Sequence, residues 1–333
     1  MKRNYGVQFL GIGSALPSKV VTNTDLEKLF DTNDEWIYSR TGIRERRVID
    51  KGESSLSLAL EASQQALKNS KLNPEDIDLI IVCTATPDML YPSVSCMLQG
   101  ELGACKAVSF DLSAACSGFI FGLVTASQYI YSGAFKNVLV VGVDVHSRFL
   151  DWSERSVSIL FGDGAGAIVL SSCDANNDEL LGFVIKSESD KKLDLTLSNN
   201  NVHFADLSKN IEANFVRMNG KAIYQFAVDV VPRVVNELLE KTSVKSSDID
   251  YFVPHQANKR IIDMAAKKLG FDESKVISNI DKVGNTSAAS IPLAIHQAIL
   301  NKQIKFPCTM VLVGFGAGLT WGSALVKLNL KSV

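Results

Sequence analysis

The chain has 333 residues, of which 46% are hydrophobic and 21% charged, and its net charge is −2. That composition suits a large globular core and excludes the global basic field that a nucleic-acid binder carries. No run of about 18 apolar residues occurs, so no membrane-spanning helix is expected. The apolar stretch within residues 1–19 is short and broken by Gly11 and Gly13, which does not suit a secretory signal. Six cysteines stand at 83, 96, 105, 116, 173 and 308. They form no C-x-x-C pair and no zinc-like spacing with histidine. In so long a chain they fit reduced thiols and a cytoplasmic location.

In chain order, the first landmark is the segment 69–78, NSKLNPEDID, which leads into the apolar run 79–83. The segment 241–250, KTSVKSSDID, leads into 251–253 in the same way, and Asp78 and Asp250 lie 172 positions apart. The runs VLVVG at 138–142 and MVLVG at 310–314 keep that offset, with Val140 matching Leu312. Two landmarks with one spacing predict a duplicated chain. We divide it into residues 1–174 and 175–333, joined where Ser, Asp and Asn cluster near 172–180. Each half reads as helix, apolar strand, loop, helix, apolar strand, which predicts an α/β fold with buried sheets. In the first half, Phe119, Leu123, Ala126 and Ile130 predict a helix over 117–132 that stops at Gly133. Residues 190–215 are rich in Asn, Lys, Ser and Asp without a period and are expected to be irregular. In the second half, Ile261, Ile262, Ala265 and Leu269 give a helical stripe ending at Gly270.

Three loops carry candidate chemistry. Cys116 lies in DLSAACSGF at 111–119, between an apolar strand and the predicted helix. At a helix start the free backbone N–H groups favour a thiolate. The other reading is a small buried hydrophobe, which we adopt for the remaining five cysteines. His255 lies in VPHQAN at 253–258, where a strand gives way to a helix; His146, His203 and His296 have no comparable setting and are assigned to structure or surface. Asn285 lies in VGNTSAAS at 283–290, ahead of a helix that Thr286 or Ser287 could cap. By the repeat, this loop corresponds roughly to that of Cys116; read alone, Asn285 is a turn residue. The glycine-rich segment 161–166, FGDGAG, precedes an apolar strand rather than a helix, so it is not a dinucleotide loop. The segment 314–323, GFGAGLTWGS, also precedes a strand and could aim backbone N–H groups at a substrate oxygen.

Taken together with TNDEWI at 32–37 and RTGIRER at 40–46, these segments resemble the β-ketoacyl-acyl-carrier-protein synthase III family, the initiating condensing enzymes of bacterial fatty-acid synthesis. The resemblance spans nearly the whole chain in family order. It implies a thiolase-like fold, two pseudo-symmetric halves in αβαβα layers, and a homodimer. It implies that Cys116, His255 and Asn285 are catalytic. Cys116 would take a short acyl group, most simply acetyl, from acyl-coenzyme A. Malonyl-acyl-carrier protein would then lose carbon dioxide and attack the thioester. The backbone N–H groups of Cys116 and Ala317 would form an oxyanion hole. Trp36 and Arg155 would sandwich the adenine of coenzyme A, and Arg40, Thr41, Gly220 and Asn258 would line its path. Arg260, Lys267 and Lys268, spaced to share a helix face, would dock the carrier protein, with Gln225 standing where relatives are expected to carry a lysine. Tyr91 would close the acyl pocket of a dimer mate. No cofactor, metal, nucleic acid or membrane is implied. The competing readings are a related acyltransferase of specialised metabolism, a papain-like protease, whose local cysteine signature is absent, and an inactive partner subunit, which the intact trio opposes.

Overall fold

The computed structural model describes residues 4–198 and 214–330. Its frame is two sheets. The first contains β1 (Tyr5–Ala15), β2 (Leu79–Cys83), β3 (Val108–Leu112), β4 (Asn137–Asp144) and β5 (Gly164–Asp174), in the order β1-β5-β4-β2-β3. The second contains β6 (Leu180–Ser187), β7 (Tyr251–Pro254), β8 (Cys308–Gly316) and β9 (Thr320–Leu328), in the order β6-β9-β8-β7. Pairing also repeats. Each sheet begins with two antiparallel pairs, β1–β5 and β5–β4 or β6–β9 and β9–β8, followed by a parallel pair, β4–β2 or β8–β7. The copies differ at one edge. Where the first sheet has β3, the second has a single bridge from Phe252 to Val276.

Seven helices of eight residues or more are described: α1 (Asp34–Thr41), α2 (Ser55–Ser70), α3 (Val94–Leu102), α4 (Gly118–Ser132), α5 (Gly220–Thr242), α6 (Lys259–Leu269) and α7 (Ser290–Leu300). They complete five layers. Helices α2 and α3 cover the outer face of the first sheet, α4 and α7 lie between the sheets, and α5 and α6 cover the second. The strand sequences follow from this. Leu79, Ile81 and Cys83 face the central helices while Ile80 and Val82 face the outer ones, so β2 is apolar on both faces and reads as a continuous run. Helix α4 ends as its sequence predicts, with Gly133 in the left-handed region at φ 75°. Full burial of Phe119, Leu123 and Ile130 on it contributes roughly 1.5–3 kcal/mol each.

The segment FGDGAG leads directly into β5, as expected, and GFGAGLTWGS forms the end of β8 and the start of β9. Part of the region expected to be irregular is ordered: Leu195–Thr196 pairs antiparallel with Arg217–Met218. Residues 199–213, with His203, lie outside the described residues. Among the described residues no helix is long and apolar enough to cross a membrane.

The halves interlock at two glycines that the repeat relates, Gly142 on β4 and Gly314 on β8. A Cβ on Gly142 would stand 2.3 Å from the carbonyl oxygen of Ala288, and one on Gly314 would stand 3.2 Å from Cα of Ser117. Each glycine thus admits a turn from the opposite half. Gly142→Ala should cost about 1–3 kcal/mol through overpacking against a backbone atom that cannot yield. Urea unfolding would reveal this as a lower midpoint at unchanged slope; an unaltered midpoint would contradict the close approach.

Candidate active site

Cys116 sits in a single 3-10 turn, Ala115–Ser117, that runs straight into α4. A matching turn, Ser287–Ala289, runs into α7. The first residue of each turn has a positive φ, 46° at Ala115 and 52° at Ser287. Such a conformation in a residue with a Cβ is strained and concentrates at functional sites. The two turns meet. Ser287 Oγ donates to Cys116 Sγ at 3.2 Å. Neither Thr286 nor Ser287 caps α7, contrary to expectation; the residue before the helix is Ala289, with no side-chain cap, and the Ser287 hydroxyl is spent on the cysteine. Ser287 is the site residue that sequence reasoning missed as chemistry. Its signal was present, since it lies 172 positions after Ala115.

Cys116 is 7% exposed. Burial pushes its thiol up to about 12, and the Ser287 hydroxyl acts against that rise. The expected thiolate at a helix start is therefore corrected: in this dry setting desolvation outweighs the helix terminus. His255 follows β7, and its backbone N–H donates to Val313 O at 2.7 Å. Its ring packs edge-on against Phe315, and Nδ1 lies 2.7 Å from Ser290 Oγ. Burial lowers its pKa to about 3, so the imidazole is neutral. Nε2 has no protein partner among the described residues. Asn285 is held on both sides of its peptide, by Leu160 O and by the N–H of Gly162. Its Oδ1 accepts from the N–H of Ser287 at 2.9 Å, which fixes the amide orientation. The Nδ2 donor is left without a protein partner among the described residues.

These three side chains line one cavity of about 540 Å³. Trp36, Arg40, Thr41, Gly220, Asn258 and Arg260 line it too, as does Lys221, which the sequence reading did not single out. Gly316 lies behind the cysteine; a Cβ there would stand 2.7 Å from the Cys116 nitrogen. Ala317, next in the chain, lines a smaller chamber on the far side of Cys116.

Known proteins resemble this chain along nearly its whole length. Residues 110–189 match the family described as 3-oxoacyl-[acyl-carrier-protein (ACP)] synthase III, and residues 239–328 match its C-terminal counterpart. A relative from Prochlorococcus marinus (strain NATL2A), named beta-ketoacyl-[acyl-carrier-protein] synthase III, is 47% identical over 96% of this chain and 95% of its own. The chloroplastic protein of that name from Arabidopsis thaliana is 45% identical over 97% of this chain and 83% of its own. The chain belongs to the synthase III family. The crystal structure of 3-oxoacyl-[acyl-carrier-protein] synthase III from Aquifex aeolicus VF5 superimposes with a TM-score of 0.89 at 42% identity, covering 97% of this chain and all, 100%, of that one. The fold is thiolase-like.

Against the synthase III resemblance, the outer residues fall unevenly. Arg155 stacks directly on Trp36, with Cζ 4.4 Å from the ring centroid, and donates to Asp31 O. The pair is closed, since a base held between them needs two contacts of about 3.5–4 Å each. Asn258 caps α6 through Arg260 N–H and donates to Arg40 O at 3.1 Å, tying α6 to α1. Arg260, Lys267 and Lys268 are all exposed on α6. Arg260 opens onto the cavity beside Tyr224, and Lys268 reaches Val228 O of α5. Lys267 instead lines a separate groove with Tyr38 and Asp281. Gln225 is exposed on α5, and Tyr91, 86% exposed, stands beside Leu90 away from the cavity.

The Ser287 contact makes a measurable claim. Removing a hydrogen bond to a charged group costs about 1.5–3 kcal/mol, so Ser287→Ala should raise the Cys116 pKa further and slow its alkylation by iodoacetamide roughly 10–100-fold near pH 8. The rate should still rise with pH. Peptide mass spectrometry follows it, and equal rates in both proteins would refute the contact's role.

Proposed function

We propose that this chain catalyses the initiating condensation of fatty-acid synthesis: a short acyl group, acetyl in the simplest case, passes from acyl-coenzyme A to Cys116 and then to malonyl-acyl-carrier protein, giving β-ketoacyl-acyl-carrier protein. The observation that carries this reading is the single cavity holding a buried cysteine beside His255 Nε2 and Asn285 Nδ2, while the other polar atom of each side chain is already engaged.

In the first step the Cys116 sulfur attacks the thioester carbon, the bond to coenzyme A breaks, and the thiol proton leaves on coenzyme A. The exchange is neutral overall, so a thiol with pKa about 12 need not be stored as a thiolate. Backbone N–H groups of Cys116 and Ala317 suit the developing oxyanion, given how tightly Gly316 presses the turn to the cysteine. In the second step the malonyl carboxylate leaves as carbon dioxide and its electron pair becomes an enolate. Neutral His255, donating from Nε2, and Asn285, donating from Nδ2, stabilise it. The tautomer this needs has Ser290 donating its hydroxyl to Nδ1. The enolate attacks the acyl carbon, the bond to Cys116 breaks, and the released thiolate takes a proton from solvent water. The cavity accommodates a phosphopantetheine arm, with Trp36, Arg40, Thr41, Gly220 and Asn258 along it and Arg155 opening from Trp36 to admit adenine.

We place the two functional halves at 1–174 and 175–333. Coenzyme A and phosphopantetheine thioesters are substrates, and the chemistry calls for no resident cofactor. The exposed run Met89, Leu90 and Tyr91 supports a homodimer in which Tyr91 meets the mate's acyl chamber. Six free cysteines support the reducing cytoplasm. For carrier-protein docking we retain Arg260 and Lys268, with Lys267 on the neighbouring groove.

Two experiments test this. Cys116→Ala should gain no acetyl mass from acetyl-coenzyme A. His255→Ala and Asn285→Ala should each still be acetylated yet lose about 10²–10³ in malonyl decarboxylation. A variant acylation-dead but normal in decarboxylation would reverse the roles. Separately, Arg260→Glu should raise the KM for malonyl-acyl-carrier protein several-fold, with acetylation little affected and the carrier-dependent rate falling as salt screens the attraction over about 10 Å at 0.1 M. Equal losses for both substrates would mean that Arg260 acts through the cavity it lines and not in docking.

A further inference from the structure

The chain is slightly acidic overall, with a net charge of −2. Its largest-scale chemistry-bearing cavity is not. Among the described residues three cations line it, Arg40, Lys221 and Arg260, and no aspartate or glutamate does. Two of the three are engaged with rings: Arg40 Cζ lies 5.7 Å from the centroid of Trp36, and Arg260 Cζ lies 5.6 Å from that of Tyr224. Lys221 differs. Among the described residues its ammonium has no ion pair, hydrogen bond or ring contact. Asp194, which accepts from Asn219 Nδ2 just before α5, lines a neighbouring groove rather than the cavity.

A lysine is also poorly placed there by the ordinary rule for helices. Lys221 is the second residue of α5, where the helix dipole is already positive. The first turn of α5 has no acidic residue, and neither has that of α6, in which Arg260 stands. The other base at the start of α6, Lys259, is neutralised by Asp263 at 2.6 Å. Helix α1 follows the rule, with Asp34 and Glu35 in its first turn and Arg40 in its last. The cavity therefore carries positive charge that the protein leaves uncompensated, and a bound anion offsets it.

The proposed substrates share one suitable anion, the phosphate ester that ends the pantetheine arm of both coenzyme A and the carrier protein. With the thioester at buried Cys116, that phosphate stands toward the exposed end of the cavity, where Lys221 is. We propose that the Lys221 ammonium grips this phosphate ester and sets the affinity for both substrates. The inference rests on the proposed function, with Cys116 as the acylated residue. An ammonium suits the role as a compact point charge with three donors.

The test compares acetyl donors that share the thioester and differ in phosphate: S-acetyl-pantetheine, which has none, S-acetyl-phosphopantetheine and acetyl-coenzyme A. Intact-protein mass spectrometry follows acetylation of Cys116. Lys221→Met keeps an unbranched stem and removes the charge, and at an exposed position it does not threaten the fold. It should raise the half-saturating concentration of both phosphorylated donors about fivefold, the scale of one exposed charge pair, and move that of acetyl-pantetheine by less than about twofold. The KM for malonyl-acyl-carrier protein should rise by a similar factor at unchanged kcat. Lys221→Arg should restore most of the loss. An equal rise with acetyl-pantetheine, or no rise with any donor, overturns the inference. A rise confined to acetyl-coenzyme A would place the charge at the nucleotide end, and one confined to the carrier protein would place it in docking; either overturns it too. Failure of wild-type Cys116 to accept acetyl from all three donors overturns the proposed function itself.

Discussion

The structure depends on one close approach: two 3-10 turns, one from each half, meeting tip to tip between the sheets. Each has a residue with positive φ at its start, and each leans on a glycine of the opposite half. A side chain at Gly142 would displace the turn at Ala288, and one at Gly314 would crowd the turn at Ser117. Because they touch, Ser287 reaches Cys116, and Asn285, two residues upstream, is locked by the same turn. Asn285, Ser287 and Cys116 are thus positioned by backbone packing in the middle of the molecule rather than by surface loops.

Burial gives this site its electrostatic character. The same desolvation that pushes the cysteine thiol up lowers the histidine, so both groups rest uncharged. Neutral His255 can donate to a developing enolate without first holding a charge of its own, and a low local dielectric strengthens that donation. The carboxylate that organises the floor, Asp144, has its oxygens occupied by Thr84, Ala85, Thr86 and the N–H of Ala288, so it braces both halves rather than competing for the site.

Much of this was legible in the sequence because repetition and periodicity are local signals. The 172-residue spacing anticipated the repeated sheet order, and Phe119, Leu123, Ala126 and Ile130 marked α4. Cys116, His255 and Asn285 were found at strand and helix ends, and they do converge on one cavity. What escaped depends on burial and on contacts across the fold. The thiolate expected from a helix start ignored desolvation. Ser287 read as a cap because its strained turn cannot be seen in residue identity. Lys267 lines a groove that Arg260 does not, which helical spacing alone could not reveal.

The central claim is that one sulfur carries the acyl group between the two substrates. The direct measurement is a single-turnover transfer: the enzyme is loaded with radiolabelled acetyl-coenzyme A, freed of excess reagent, and mixed with unlabelled malonyl-acyl-carrier protein. The account predicts that label mapped to the Cys116 peptide disappears as an equal amount appears in β-ketoacyl-carrier protein. Label that stays on the enzyme while product forms would contradict it.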